Sequence, residues 1–212
     1  MPGTDVRPGA MGPALESQFG GLMAGLGVAG PDWAGGVAVG VSGGADSTAL
    51  ALLLAGWARE RCIRLLAITC DHGLRPEAAA ETLRVAAQMR EIGAGCRIVR
   101  LCVPPGTAVQ ERARAARYGA MLDVMRREGI RVLAVAHHEM DQAETVEHRL
   151  RCGADSPSAL AGMLPLRTLD DALLIRPLLS RRDCPAGHAL RRRKRAKKGT
   201  NLPASAAPDS WF

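Results

Sequence analysis

Val37-Ala-Val-Gly-Val-Ser-Gly-Gly-Ala-Asp-Ser-Thr48 is an apolar β run that empties into a loop of small residues, followed by a carboxylate, two hydroxyls and a helix. Such a loop is a cradle for phosphate. Gly43 and Gly44 can take backbone conformations closed to other residues and let main-chain N–H groups approach an anion. Ser42, Ser47 and Thr48 add hydroxyls, and Ala45 keeps the turn small. The run Ser47-Thr-Ala-Leu-Ala-Leu-Leu-Leu-Ala55 reads as a buried helix whose N-terminal dipole faces the same anion. Asp46 would repel phosphate oxygens unless a hard cation stood between them, so it is the candidate Mg2+ ligand. A Walker loop carries Gly-Lys-Ser/Thr at this point, whereas this loop has no lysine and keeps an acid.

Outward from this loop the chain alternates short β-like runs with longer helical ones. Strands are expected at 37–41, 64–70, 96–101 and 132–136, with a weaker one at 172–176 after a loop centred on Pro157. Helices are expected at 47–59, 77–92, 108–127 and 141–151. This βα alternation requires right-handed crossovers and a parallel sheet with helices on both faces, and it places ligands at the carboxyl edge. The polar clusters Asp71-His-Gly-Leu-Arg75 and His137-His-Glu-Met-Asp141, the second continuing to Glu144, follow the second and fourth strands and share that edge with the 42–47 loop. One such loop reads as a solvated turn; three together read as one site. Ahead of the domain, residues 1–34 form a flexible extension in which Leu15, Phe19, Leu22, Met23 and Leu26 recur at helical spacing. The domain itself is expected at 35–180.

At 212 residues the chain can bury one good core, and 47% apolar content makes a folded body the expectation. The formal charge of +7 is unevenly placed. Residues 1–180 hold 19 Arg, no Lys and 19 acids, so the whole excess lies in a basic, disordered tail at 181–212 that lacks apolar periodicity. Cys62, Cys70, Cys96, Cys102, Cys152 and Cys184 form no C-x-x-C pair, so zinc, iron–sulfur and disulfide frameworks lack spacing support. Neither a transmembrane run nor a signal pattern is present in the sequence, and the expected setting is the cytoplasm, with no membrane partner.

Ser42-Gly-Gly-Ala-Asp-Ser47 resembles the SGGxDS signature of the PP-loop ATP pyrophosphatases, which cleave ATP between its α and β phosphates and adenylate a substrate. Further segments resemble, in order, those of the tRNA(Ile)-lysidine synthase family: Asp71-His-Gly-Leu-Arg75, Gln110-Glu-Arg-Ala-Arg-Ala-Ala-Arg-Tyr118, His137-His-x-x-Asp-Gln-Ala-Glu-Thr145, Leu160-Ala-Gly-Met163 and Arg176-Pro-Leu-Leu179. The resemblance implies a Rossmann-like α/β PP-loop domain of the adenine-nucleotide α-hydrolase kind. It implies ATP and Mg2+ as cofactors, with an isoleucine tRNA bearing a wobble cytidine and free lysine as partners. ATP would adenylate the C2 carbonyl oxygen of that cytidine, pyrophosphate would leave, and the ε-amine of lysine would then displace AMP. By this resemblance Ser42, Gly43, Gly44, Ala45, Asp46, Ser47, His72, Arg75 and His137 bind ATP. Asp46, Asp141 and Glu144 are catalytic, and Arg114, Arg117 and Arg176 meet tRNA or other phosphates. Tyr118 is expected only to pack. Asp141 and Glu144, three apart on one helix face, suit the ammonium groups of lysine.

Two departures stand out. The family has two consecutive acids after its paired histidines, and here the first position is Met140, which can neither ligate Mg2+ strongly nor hold an ammonium. Beyond Leu179 the family runs into an Asp-x-x-Asn and Arg-rich stretch and a helical tRNA-recognition region, where this chain has its basic tail. These departures leave two alternatives: a PP-loop tRNA-modifying enzyme of the thiolation type, or a non-catalytic nucleotide- or RNA-binding remnant. The paired sulfur-handling cysteines that many thiolation enzymes carry are absent.

Overall fold

Val37, Ala38, Val39 and Gly40 are all buried and form β1 (Val37–Gly40), the strand from which the sheet grows in both directions. The computed structural model describes residues 12–71, 76–101, 109–137 and 163–179. In chain order these hold α1 (Pro13–Gly25), β1, α2 (Ala45–Glu60), β2 (Leu65–Asp71), α3 (Pro76–Glu91), β3 (Gly95–Arg100), α4 (Val109–Glu128), β4 (Val132–Ala134), β5 (Leu166–Leu169) and β6 (Ala172–Ile175). The strands form one six-stranded sheet in the order β3-β2-β1-β4-β6-β5. β1 pairs in parallel with β2 and with β4, β2 with β3, and β4 with β6.

The continuous apolar runs at β1, β2 and β4 have the pattern of strands covered on both faces. Side chains alternate between those faces. Val37, Val39 and Val41 join Ala67, Val132, Ala134 and Ile175 on the face covered by helix residues such as Leu50, Leu54, Val85 and Met89. Ala38 joins Leu66, Ile68, Leu133, Val135 and Leu174 on the face covered by Met121, Leu122 and Met125 of α4. α2 is apolar almost all round because it lies between the sheet and α1, with Leu50, Ala51, Leu53, Leu54, Ala55, Trp57 and Ala58 all buried.

The strands and helices expected from periodicity are present within two residues of their expected ends wherever the chain is described. The sheet departs from the parallel expectation at one edge. Leu166–Leu169 pairs antiparallel with Ala172–Ile175. A tight turn through Asp170, at φ 53°, joins them, a left-handed conformation that aspartate tolerates. Leu166–Leu169, four residues followed by two aspartates, is too short an alternation to signal a strand. At the N-terminus the helical spacing corresponds to thirteen-residue α1, whose Phe19 and Met23 are 1% and 3% exposed in the core, so from Pro13 onward this segment packs with the domain. The helix expected at 141–151 and the tail at 181–212 lie outside the described residues.

The amino edge of the sheet is tied by charge. Glu128, at the end of α4, accepts from Arg64 at 3.0 Å and from Arg97 at 2.9 Å, and its backbone carbonyl accepts from Arg64 at 2.6 Å. These guanidinium hydrogen bonds hold the Glu128 carboxyl below the usual carboxylate range. A Cβ added at Gly35 would fall inside the carbonyl of Gly129, so the chain can enter β1 only through a glycine here. Gly119, within α4, has open space where a Cβ would go. Gly35→Ala is therefore expected to lower the melting temperature sharply, because backbone must move. Gly119→Ala is expected to raise stability by about 0.5–1 kcal/mol through the helix preference of alanine. Urea titrations of both variants against the parent check this pair.

Candidate active site

The strand order reverses at β1: the chain builds β2 and β3 to one side and then returns to place β4 on the other. In an open α/β sheet such a reversal leaves a crevice beyond the carboxyl ends of the two strands flanking it. The chain leaving β1 here is the 42–47 loop, and the chain leaving β4 reaches His137. In the β1–β4 register Val39 faces Ala134, and Ser42 and His137 each follow three residues later in the chain.

The loop holds its shape through its own hydroxyls. Ser47, 2% exposed, donates from Oγ to the Gly44 carbonyl at 3.1 Å and accepts from the Ser42 backbone N–H at 3.2 Å. Ser42 Oγ lies 3.2 Å from Ser47 Oγ and accepts from the Gly44 N–H at 3.3 Å, and Thr48 Oγ1 donates to the Gly44 carbonyl at 2.9 Å. Gly43 sits at φ +83°, and a Cβ there would meet Val85 Cγ2 of α3 at 3.0 Å, so both conformation and space select glycine. α2 opens at Gly44 with no side-chain cap, which leaves its first N–H groups and positive dipole end for an anion. Asp46 stands half-buried in that first turn, where its carboxylate would oppose phosphate without a cation between them. Among the described residues no three His, Cys, Asp or Glu side chains gather into a metal site. Mg2+ commonly binds through one or two carboxylates plus phosphate and water, so Asp46 beside a phosphate cradle fits it.

The arginines sort by edge. Arg61, Arg64, Arg97, Arg126 and Arg131 are paired with carboxylates at the amino edge. Arg114, Arg117 and Arg176 belong to the carboxyl edge, and no described carboxylate pairs with Arg114 or Arg176. Tyr118 stands among the three, with the guanidinium carbons of Arg114 and Arg117 at 5.5 Å and 6.0 Å from its ring centroid. It also acts electrostatically on Arg176, favouring its charged form. Burial lowers the pKa of Arg117 and of Arg176, Tyr118 opposes that, and Arg114 lowers both further. Arg117 and Arg176 stay charged near neutrality because arginine starts so far above it. Tyr118 thus does more than pack. The sequence signal was its place directly after Arg117 and one helical turn beyond Arg114.

Arg176 is 3% exposed, donating from Nε to His137 Nδ1 at 3.0 Å and from Nη1 to the Leu164 carbonyl at 2.7 Å. The structure therefore places it inside the domain against His137, where it has no surface to offer an RNA backbone. Arg114 is exposed and Arg117 half-buried, so these two can still reach a phosphate. His137 is fully buried, and Asp71 ends β2 at 7% exposure on the same edge. Cys70, beside it, is pushed up to about 11 by burial, with Arg117 acting weakly against that, so it is a thiol at neutral pH. His72, Arg75, Met140, Asp141 and Glu144 lie outside the described residues. No described helix is long and apolar enough to cross a membrane.

Residues 23–185 match the model of a PP-loop domain family. The tRNA(Ile)-lysidine synthase of Methylobacterium nodulans is 47% identical over 152 residues, which is 71% of this chain and 44% of that protein. That of Novosphingobium aromaticivorans is 45% identical over 152 residues, 70% of this chain and 45% of that protein. The chain thus spans less than half the length of these relatives. Among solved structures, the U34-tRNA thiolase NcsA from Methanococcus maripaludis with its 4Fe-4S cluster matches at a TM-score of 0.63 and 22% identity, over 93% of this chain and 67% of that one. That is a likeness of fold. Because the family match runs across the whole described sheet and takes in the phosphate loop where the strand order reverses, this chain belongs to the PP-loop domain family.

Proposed function

We propose that this chain carries out the chemistry of a tRNA(Ile)-lysidine synthase in the cytoplasm. ATP adenylates the C2 carbonyl oxygen of a wobble cytidine, pyrophosphate leaves, and the ε-amine of lysine displaces AMP. The observation that carries this reading is identity of 47% and 45% to two lysidine synthases across about 70% of the chain. Each step makes a physical demand that named residues can meet. Charge builds on the departing pyrophosphate, and the N–H groups of the 42–47 loop and the first turn of α2 are set to receive it. Asp46 would hold Mg2+, whose positive charge would offset that of the leaving group. Arg114 and Arg117 add fixed positive charge on one side, for phosphates of ATP or of tRNA. His72 and Arg75, next after β2 in the sequence, would bind the nucleotide, and Asp141 and Glu144 would receive the ammonium groups of lysine.

The thiolation alternative needs sulfur held as thiolate or in a cluster. Cys62, Cys70 and Cys96 are free, burial raises the thiol pKa of both Cys70 and Cys96, and no pair forms among the described residues. This chemistry favours the ligase. Mass spectrometry of a cytidine-wobble isoleucine tRNA incubated with the protein, ATP, Mg2+ and lysine tests the reading. A lysine adduct on that cytidine supports it, and an unmodified or sulfur-bearing nucleoside overturns it.

Asp46→Asn removes the metal-binding charge at constant size, so ATP–pyrophosphate exchange is expected to fall by at least about 100-fold, the order lost when one charge-stabilising group is removed. The melting temperature should hold. Exchange at the parent rate would refute the role. Met140→Asp restores the second acid beside Asp141 and is expected to raise lysine transfer at saturating ATP and Mg2+. Equal or lower transfer would place the limiting step elsewhere.

The run Arg191-Arg-Arg-Lys-Arg-Ala-Lys-Lys198 carries seven positive charges and can neutralise RNA phosphates without reading bases. Removing residues 191–212 is expected to weaken tRNA binding and to flatten its log–log salt slope by up to about 5, at roughly 0.7 per phosphate on single strands. ATP affinity should not change. Binding titrations at two salt concentrations check this, and identical tRNA affinities at low salt would dismiss the tail as an RNA arm.

A further inference from the structure

Tyr118, the only tyrosine in the chain, is partly buried against the core that holds Met121, Leu122 and Met125. That packing fixes its ring. Side chains on a helix lean back toward its N-terminus, so the ring reaches over the preceding turn of α4, where Arg114 lies four positions earlier. The guanidinium carbon of Arg114 is 5.5 Å from the ring centroid, and that of Arg117 is 6.0 Å from it. Both distances lie within the range of cation–π attraction.

Two arginines three apart on a helix repel each other. Burial lowers the pKa of Arg117, Tyr118 opposes that, and Arg114 adds to the lowering. Arg114 is exposed, and among the described residues no carboxylate pairs with it, so the ring is the partner that restrains its guanidinium. A carboxylate would occupy the forked donors of a guanidinium. A ring face attracts the cation as a whole and leaves that fork for a phosphate.

We propose that Tyr118 is a positioning residue whose ring holds the guanidinium of Arg114, with that of Arg117 beside it, in place for a phosphate group. The ring contacts stand on geometry alone, while the phosphate rests on the function proposed above. Tyr118 touches no substrate and uses its aromatic face, not its hydroxyl, for this task. An arginine side chain on a helix surface loses rotamer freedom when it binds an anion, and one already resting on a fixed ring has less of that freedom to lose. The phosphate comes from ATP or from the tRNA backbone, one chemistry with two sources that titration separates.

NMR of the full chain with 13C-ring-labelled tyrosine reads this residue alone, because the chain has one tyrosine. The ring signals are expected to move on titration with ATP and Mg2+ or with an unmodified cytidine-wobble isoleucine tRNA, and the ligand that moves them identifies the source of the phosphate. Ring signals that respond to neither would overturn the proposal. Tyr118→Leu should weaken binding of that ligand by about 2- to 5-fold for each guanidinium released, and Tyr118→Phe, which keeps the ring, should stay within about 2-fold of the parent. In an Arg114→Gln background Tyr118→Leu should cost less than in the parent, a non-additivity that a residue serving only to pack does not produce. Equal costs in the two backgrounds, or a Tyr118→Phe variant as weak as Tyr118→Leu, would refute the positioning role. Where Tyr118→Leu fails to fold, the ligand-free spectrum of Arg114→Gln decides: displaced ring signals support the contact, and signals identical to the parent's dismiss it. Because binding needs no turnover, a tRNA left without lysine would remove the lysidine reading and leave this result standing.

Discussion

β1 can have only two neighbours, and in this sheet both run parallel to it, which forces the connections from β1 to β2 and from β3 to β4 across opposite faces of the sheet. α2 and α3 consequently cover one face and α4 the other, and the connections part above the ends of β1 and β4. Everything used at the site depends on that parting. It opens the crevice into which the 42–47 loop turns, and it sets the first turn of α2 facing the same space. The loop must be built from small residues because α3 lies directly against it at Val85.

The same architecture sorts charge. Residues 1–180 are formally neutral, yet the described carboxylates engaged with arginines lie at the amino edge, where Glu128 binds both Arg64 and Arg97. The arginines at the carboxyl edge face an aromatic ring, a histidine and a carbonyl. Neutrality in composition thus becomes polarity in space. Arg114, Arg117 and Arg176 set positive charge beside the carboxylates of Asp46 and Asp71 at the edge that carries the phosphate loop. Arg176 does so from inside the domain, where its guanidinium also donates to His137.

Edge strands show how topology limits what function can use. β3 and β5 lie at the two ends of the sheet, and β3 is largely exposed. Neither lies beside the reversal, so neither shares in the crevice. The Asp170 turn that joins β5 to β6 sits at the amino edge, where Asp170 and Asp171 pair with Arg126. These contacts hold β6 in place, and β6 in turn carries Arg176 to the opposite edge.

Local sequence determined the strand–loop–helix unit around Ser42, the alternation of β and α that makes a parallel sheet, and the clustering of polar residues at strand ends. Each of these is set by neighbours along the chain: small residues for a tight approach to anions, continuous apolar runs for doubly covered strands, helical spacing for amphipathic faces. Tertiary structure alone decided the antiparallel β5, the packing of α1 through Phe19 and Met23, the standing of Tyr118 among three arginines, and the burial of Arg176 against His137. Arg176 and His137 are 39 positions apart. Their contact is created by strand order, which no local periodicity encodes, and an arginine in sequence reads the same whether it will face solvent or a buried imidazole.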